Sequence, residues 1–184
     1  MGIFKHLAPL LQALLLLALF AAKASAVTPQ AKTFTELVRQ ADQIFTGAVT
    51  RQQSLQLPNG AIVTDVTIAV ARHIKPVAAT APAVILRMLG GKVADLELVI
   101  DGAPRFHDGQ RVLLFVRGNH IEMLPFVGIQ QGVFTLSRDP TGVDRVFDVR
   151  GVPVIEIRDD RVTTGAGLGM SVADFLRAIH TAGP

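Results

Sequence analysis

Three histidines and one aspartate are the residues whose chemistry asks to be placed first. His107 and Asp108 stand side by side in "PRFHDGQ", and His73 and His120 lie 34 residues before and 13 after His107. Imidazole and carboxylate are the ligands of zinc and copper sites and the usual general acids and bases. His107, Asp108, His73 and His120 are therefore the candidate metal ligands. Their spacing matches no metalloenzyme signature: there is no "HExxH", and the three histidines fall on separate predicted elements. Asp108-Gly109 is itself a turn pair, with Gly109 placed where positive φ is needed. No cofactor is expected from this pattern.

Other chemistries have weaker footing. The serines after Ala26 are Ser54, Ser137 and Ser171, and none sits in a "GxSxG" elbow. The abundant threonines fit strands. "GAGLGMS" (165–171) precedes a helical pattern, but no Lys follows it and no βαβ unit surrounds it, so it reads as a connector and cap. "PFVGIQQGVF" (125–134) sets Ile129, Gln130 and Gln131 between two glycines. Amides in a loop either tie backbone groups together or present themselves to a ligand. Ile129, Gln130 and Gln131 are the candidate binding residues.

The elements that must position these residues follow from periodicity. "TFTELVRQAD" has the Thr33/Glu36 spacing of a capping box and an apolar stripe at Phe34, Leu37, Val38 and Ala41, which predicts a short helix. "IFTGAVTRQQSLQL" and "AIVTDVTIAVARHIK" are β-rich runs joined by Pro58-Asn59-Gly60, a hairpin signal, with Gly47 as a bulge. "AVILRML", "LELVI", Gln110 to Arg117, "IEMLPF", "VFTLS", "RVFDVR" and "VPVIEI" are further strand candidates. Val112 to Val116 is continuously apolar, as in a strand buried on both faces. Phe106 is expected to anchor the preceding loop on the core, with Arg105 and Arg111 as solvated charge. Ser171 and Asp174 open a last helix whose stripe is Val172, Phe175, Leu176 and Ile179. Short strands at regular spacing with a helix near each end predict a mainly β fold, a single antiparallel OB-like barrel or small sandwich.

Compartment is read from the N-terminus. Lys5 and His6, an apolar run from Leu7 to Ala22 and the small-x-small Ala24-Ser25-Ala26 are the three parts of a secretory signal peptide. Cleavage after Ala26 leaves residues 27–184 as one β-rich domain, periplasmic or extracellular. Removing residues 1–26 takes away Lys5 and Lys23, leaving 16 basic residues against 15 acidic. With that balance and no run of like charge, neither nucleic acid nor, after cleavage, a membrane surface is an expected partner. There is no Cys, so disulfides, thiolate zinc sites and Cys nucleophiles are excluded. There is also no Trp and no Tyr, which argues against the aromatic platforms of lectins and single-strand-binding proteins.

A family resemblance rests on "ADQIFTGAV" (41–49), "VTDVTIAVARHIK" (63–75), Gly90-Gly91, "GAPRFHDGQRVLLFV" (102–116) and "VGIQQGVFTL" (127–136). This pattern, over roughly 34–149, resembles a group of uncharacterised exported bacterial proteins and, more distantly, the netrin-like or TIMP-like OB-fold domains. The resemblance implies an OB-type barrel. It does not bring the inhibitory element of the TIMP-like proteins, an N-terminal Cys, because this chain has none. The function expected is an exported, non-catalytic binding or interaction module whose partner is another exported protein. The alternatives are a secreted hydrolase with an unrecognised site and an accessory or inhibitor of an exported protease.

Overall fold

The computed structural model describes residues 31–76 and 81–183. The expected signal peptide lies outside the described residues. Helix α1 (Phe34–Gln40) begins where the capping box places it: Thr33 Oγ1 accepts from the Glu36 N–H, and Glu36 returns a carboxylate to the Thr33 N–H at 2.8 Å. Phe34, Leu37 and Val38 are its buried face.

Two 14-residue strands, β1 (Gln43–Gln56) and β2 (Ile62–Lys75), form an antiparallel hairpin closed by the Pro58-Asn59-Gly60 turn. Register shifts on either side of Phe45–Thr46 and again before Arg51 mark bulges that bend and twist β1. Gly47 is one of them, and its place is steric: a Cβ there would lie 2.4 Å from the Ala69 carbonyl oxygen and 2.7 Å from Ile68 Cγ2. Strand β3 (Ala83–Leu89) pairs with β2. Strands β4 (Gly91–Val93) and β5 (Leu96–Leu98) make a small separate hairpin. Strands β6 (Arg111–Val116), β7 (Val133–Arg138) and β8 (Asp144–Asp148) complete a six-stranded antiparallel sheet of order β3-β2-β1-β6-β7-β8. Strands β9 (Val154–Arg158) and β10 (Arg161–Thr164) form another hairpin, and helix α2 (Val172–Thr181) follows the Ser171 cap.

Strand β6 shows why the apolar run after Gly109 is continuous. Leu113 and Phe115 enter one core cluster with α1, α2 and Val154; Val112, Leu114 and Val116 enter another with Phe45, Ile68 and Leu86. Both faces of the central strand are buried, so period-two alternation disappears from the sequence. The first cluster holds four phenylalanine rings, with Phe175 against Phe34, Phe115 and Phe134. Phe106 packs on the second and touches Phe126, as expected of a loop anchor. Gly109 has φ +81° and ends the Asp108 turn that feeds β6. Among the described residues the fold is mainly β and antiparallel with two short helices, as expected. Its sheet stays open, because β3 and β8 do not pair with each other.

Two expectations need correction, and one strand was not anticipated. "IEMLPF" is not a strand. Gly118 and His120 take positive φ, and the N–H groups of Ile121 and Glu122 fold back onto the Gly118 carbonyl, so the segment turns. It lies along the free edge of β3: Asn119 accepts from the Arg87 N–H and donates to the Ile85 carbonyl, and the Leu89 N–H donates to Met123. Strand β10 was not expected. It follows a two-residue turn at Asp159-Asp160, both at positive φ (49° and 57°), the geometry of a type I′ hairpin. Arg111 is not simply solvated. It makes a bidentate pair with Asp144 at 2.7 and 2.8 Å, bonding β6 to β8 across β7.

Candidate functional site

A cleft of about 340 Å³ opens where four pieces of chain meet. They are the lead-in to α1, the loop before β7, the end of β8 and strand β10. The meeting is set up by the β9–β10 turn. Asp160 docks on the start of α1, its backbone carbonyl accepting from the Phe34 N–H at 2.7 Å and its carboxylate from the Thr35 N–H at 2.8 Å. With Thr33 it satisfies N–H groups that a helix start leaves open. The Thr35 N–H and hydroxyl hold the Asp160 carboxyl below the usual carboxylate range, with the nearby Arg161 charge helping. The docking brings Arg161 and Val162 to the cleft that Gln130 and Gln131 also line.

Both glutamines predicted as binding residues line the cleft; Ile129 does not, and stands 45% exposed at φ +59°. Each amide makes one bond that fixes its orientation. Gln131 Oε1 accepts from the Lys32 N–H at 2.8 Å, so its NH₂ end is the remaining one. Gln130 Nε2 donates to the Gly102 carbonyl at 3.0 Å, so its carbonyl end is the remaining one. The loop thus ties itself to two distant segments and keeps one donor and one acceptor unengaged among the described residues.

The floor of the cleft is where the two core clusters meet its wall: Leu37, Phe134 and Val162 come from the first, Val133 and Val149 from the second. Lys32, Arg150 and Arg161 stand around it with a single carboxylate, Asp148. That carboxylate is committed. It accepts from the Arg150 guanidinium at 2.9 and 2.7 Å and from the N–H groups of Arg150 and Val152. Lys32 Nζ and the Arg161 guanidinium make no ion pair within 4.0 Å among the described residues. The cleft is therefore an apolar floor under a cationic rim, with amide groups at one side.

The structure does not bring the candidate metal ligands together. His73 is on β2 opposite Phe45, its Nε2 3.1 Å from the Ala81 carbonyl. His107 sits at the exposed turn beside Asp108, its Nδ1 3.4 Å from the Asp108 carbonyl. His120 is at the corner of the segment along β3, near enough to Asp65 for its charge to help lower that carboxyl, whose main partner is Arg87. Among the described residues no three His, Asp or Glu side chains are placed to hold a metal ion.

Ser54 and Ser171 have structural partners. Ser54 Oγ lies 2.9 Å from Thr64 Oγ1 and accepts from the Lys92 N–H, and Thr64 donates to the Gly90 carbonyl. These bonds hold the β4 hairpin on β1 and β2. Ser171 caps α2. A second, wider groove of about 740 Å³ runs past His107, Arg105, Arg111 and Arg138, but Asp144 holds Arg111 and Arg138 together. Sequence reasoning missed Lys32, Arg150 and Arg161. The Asp159-Asp160 turn was the one local signal pointing to Arg161.

No protein-family model matches this chain, and no curated protein matches it significantly.

Proposed function

We propose that the chain is an exported, non-catalytic binding module and that the cleft between Lys32, Gln131 and Arg161 is its ligand site. One observation carries the reading. The two loop glutamines open onto an apolar-floored cleft whose one carboxylate among the described residues is locked in an ion pair, so the groups presented there recognise rather than transfer protons. The volume, about 340 Å³, lies within the range of small-ligand sites. Export rests on the composition of residues 1–26.

The test has two parts. Fractionation of a host expressing the whole gene, with N-terminal sequencing of the product, should find it outside the cytoplasm and starting at Val27. Amide chemical-shift mapping of that product with a set of small acids, amines and neutral amides should cluster its changes at Gln130, Gln131 and Val162. Changes clustered away from the cleft would overturn the placement of the site, and turnover of a generic ester or peptide added to the same protein would replace the binding reading with a hydrolytic one.

A further inference from the structure

The groups lining the cleft differ in kind, and together they describe a ligand. Three cations face one carboxylate, and that carboxylate is already shared with Arg150. Asp160 adds a negative charge behind Arg161, but it is spent on the Thr35 N–H and hydroxyl. The surplus at the rim is positive, so the complementary group is an anion. The Gln131 NH₂ adds a donor beside Lys32. The Gln130 carbonyl is an acceptor, which an anion cannot use and an amide N–H can. The floor of Leu37, Val133 and Val162 takes an aliphatic group.

An anion, an amide N–H and an aliphatic side chain occur within one residue at the end of a polypeptide. We infer that the cleft captures the free C-terminus of a partner chain ending in an aliphatic residue. The terminal carboxylate lies on Lys32, Arg161 and the Gln131 amide. The last peptide N–H donates to the Gln130 carbonyl, and the last side chain rests on Leu37, Val133 and Val162. Carboxylate capture at chain ends is a recurring recognition mode. The cleft's volume is near the small end for ligand sites, so only the end of such a chain enters. A free fatty acid would meet the rim and the floor but leave the Gln130 carbonyl unused. The inference rests on the cleft being the ligand site.

The experiment is an NMR titration of the exported protein with three probes: acetyl-glycyl-alanyl-leucine as the free acid, the same peptide as its C-terminal amide, and octanoate. The free acid should shift the Gln130, Gln131 and Val162 resonances, and the amide form should bind about tenfold more weakly or worse, since a hydrogen bond to a charged group is lost. Arg161→Gln should weaken the free acid by about tenfold, and Gln130→Ala should weaken the peptide while leaving octanoate unchanged. Both sites are exposed, and circular dichroism checks that each variant is folded. Equal binding of acid and amide overturns the inference, as does octanoate binding as tightly as the peptide. If none of the three probes shifts the cleft, the C-terminal inference fails. The broader mapping with small acids, amines and amides then decides whether the cleft binds anything at all.

Discussion

Phe175→Ala tests the claim that the chain's end is held by ring packing rather than by its own helical propensity. Helix α2 has ten residues, below the roughly 12–15 at which an isolated helix becomes marginal in water. Its buried residues are Phe175, Leu176 and Ile179, and Phe175 is 0% exposed. The ring has its centroid 4.9 Å from that of Phe134, 5.4 Å from Phe34 and 6.5 Å from Phe115. Truncation removes most of a side chain that buries at least ~150 Å², about 4 kcal/mol at 25 cal/mol per Å². Measured Phe→Ala changes of about 3–5 kcal/mol agree. For a domain of this size, about 2–4 °C per kcal/mol, the melting temperature should fall by about 6–20 °C. Urea unfolding gives the free energy, and amide exchange in residues 172–181 shows whether the helix is where stability is lost. Phe175→Leu keeps much of the volume and should lose less; it carries the test if the alanine variant does not fold. A loss under about 1 kcal/mol, or exchange in α2 unchanged, would refute the reasoning.

Two further outcomes follow from the same structure. Gly47→Ala should destabilise by about 1–3 kcal/mol in urea, the usual cost of overpacking, because the new Cβ meets the Ala69 carbonyl and the fully buried Ile68; a neutral or stabilising result would show that the β1 bulge can relax. Acid should weaken the fold through Asp139 and Asp144. Thr141 and Arg145 hold the Asp139 carboxyl well below the usual carboxylate range, and Arg111 and Arg138 do the same for Asp144. A carboxyl depressed in the folded state stabilises at pH above its unfolded value, about 4, and that stability drains as pH falls further. Urea stability should therefore be level from about pH 7 to 5 and drop below about pH 4, and Asp139→Asn with Asp144→Asn should flatten the drop; an unchanged slope in the double variant would refute the assignment.

What was legible in the sequence was local. The capping box at Thr33, the Pro58-Asn59-Gly60 hairpin, the Gly47 bulge and the Ser171 cap each depend on residues a few positions apart, and each forms as expected. The doubly buried strand after Gly109 was legible because burial of both faces erases alternation. The misreadings share a cause as well. "IEMLPF" has strand composition, but the positive φ at Gly118 and His120 sends it across the edge of β3 instead of into a ladder. Asp159-Asp160 reads as exposed charge, and only its backbone geometry makes it a hairpin turn. Arg111 finds Asp144 on a strand two positions away in the sheet, a pairing set by register rather than by sequence distance. The candidate site was half legible for the same reason. Gln130 and Gln131 announce themselves within one loop, whereas Lys32 and Arg161 reach the cleft only because Asp160 docks on α1.

The covering of the sheet edges bears on how a partner engages. An open antiparallel sheet offers its edges for strand addition, a common mode of capturing extended chains and also an aggregation hazard. Here the edge of β3 is bonded by Asn119 and Met123, and the edge of β8 by Ser171, Pro153 and Met170. A strand arriving at either edge would first have to displace segments that already satisfy its hydrogen bonds. The cleft asks no such displacement among the described residues: its free amide ends, Lys32 Nζ and the Arg161 guanidinium have no partner there, and its apolar floor is already in place. Recognition there costs less reorganisation than at an edge, and preorganised sites keep more of their contact energy as affinity. On the proposed reading, an extended partner would be read at its end, in the cleft, rather than along its length beside the sheet.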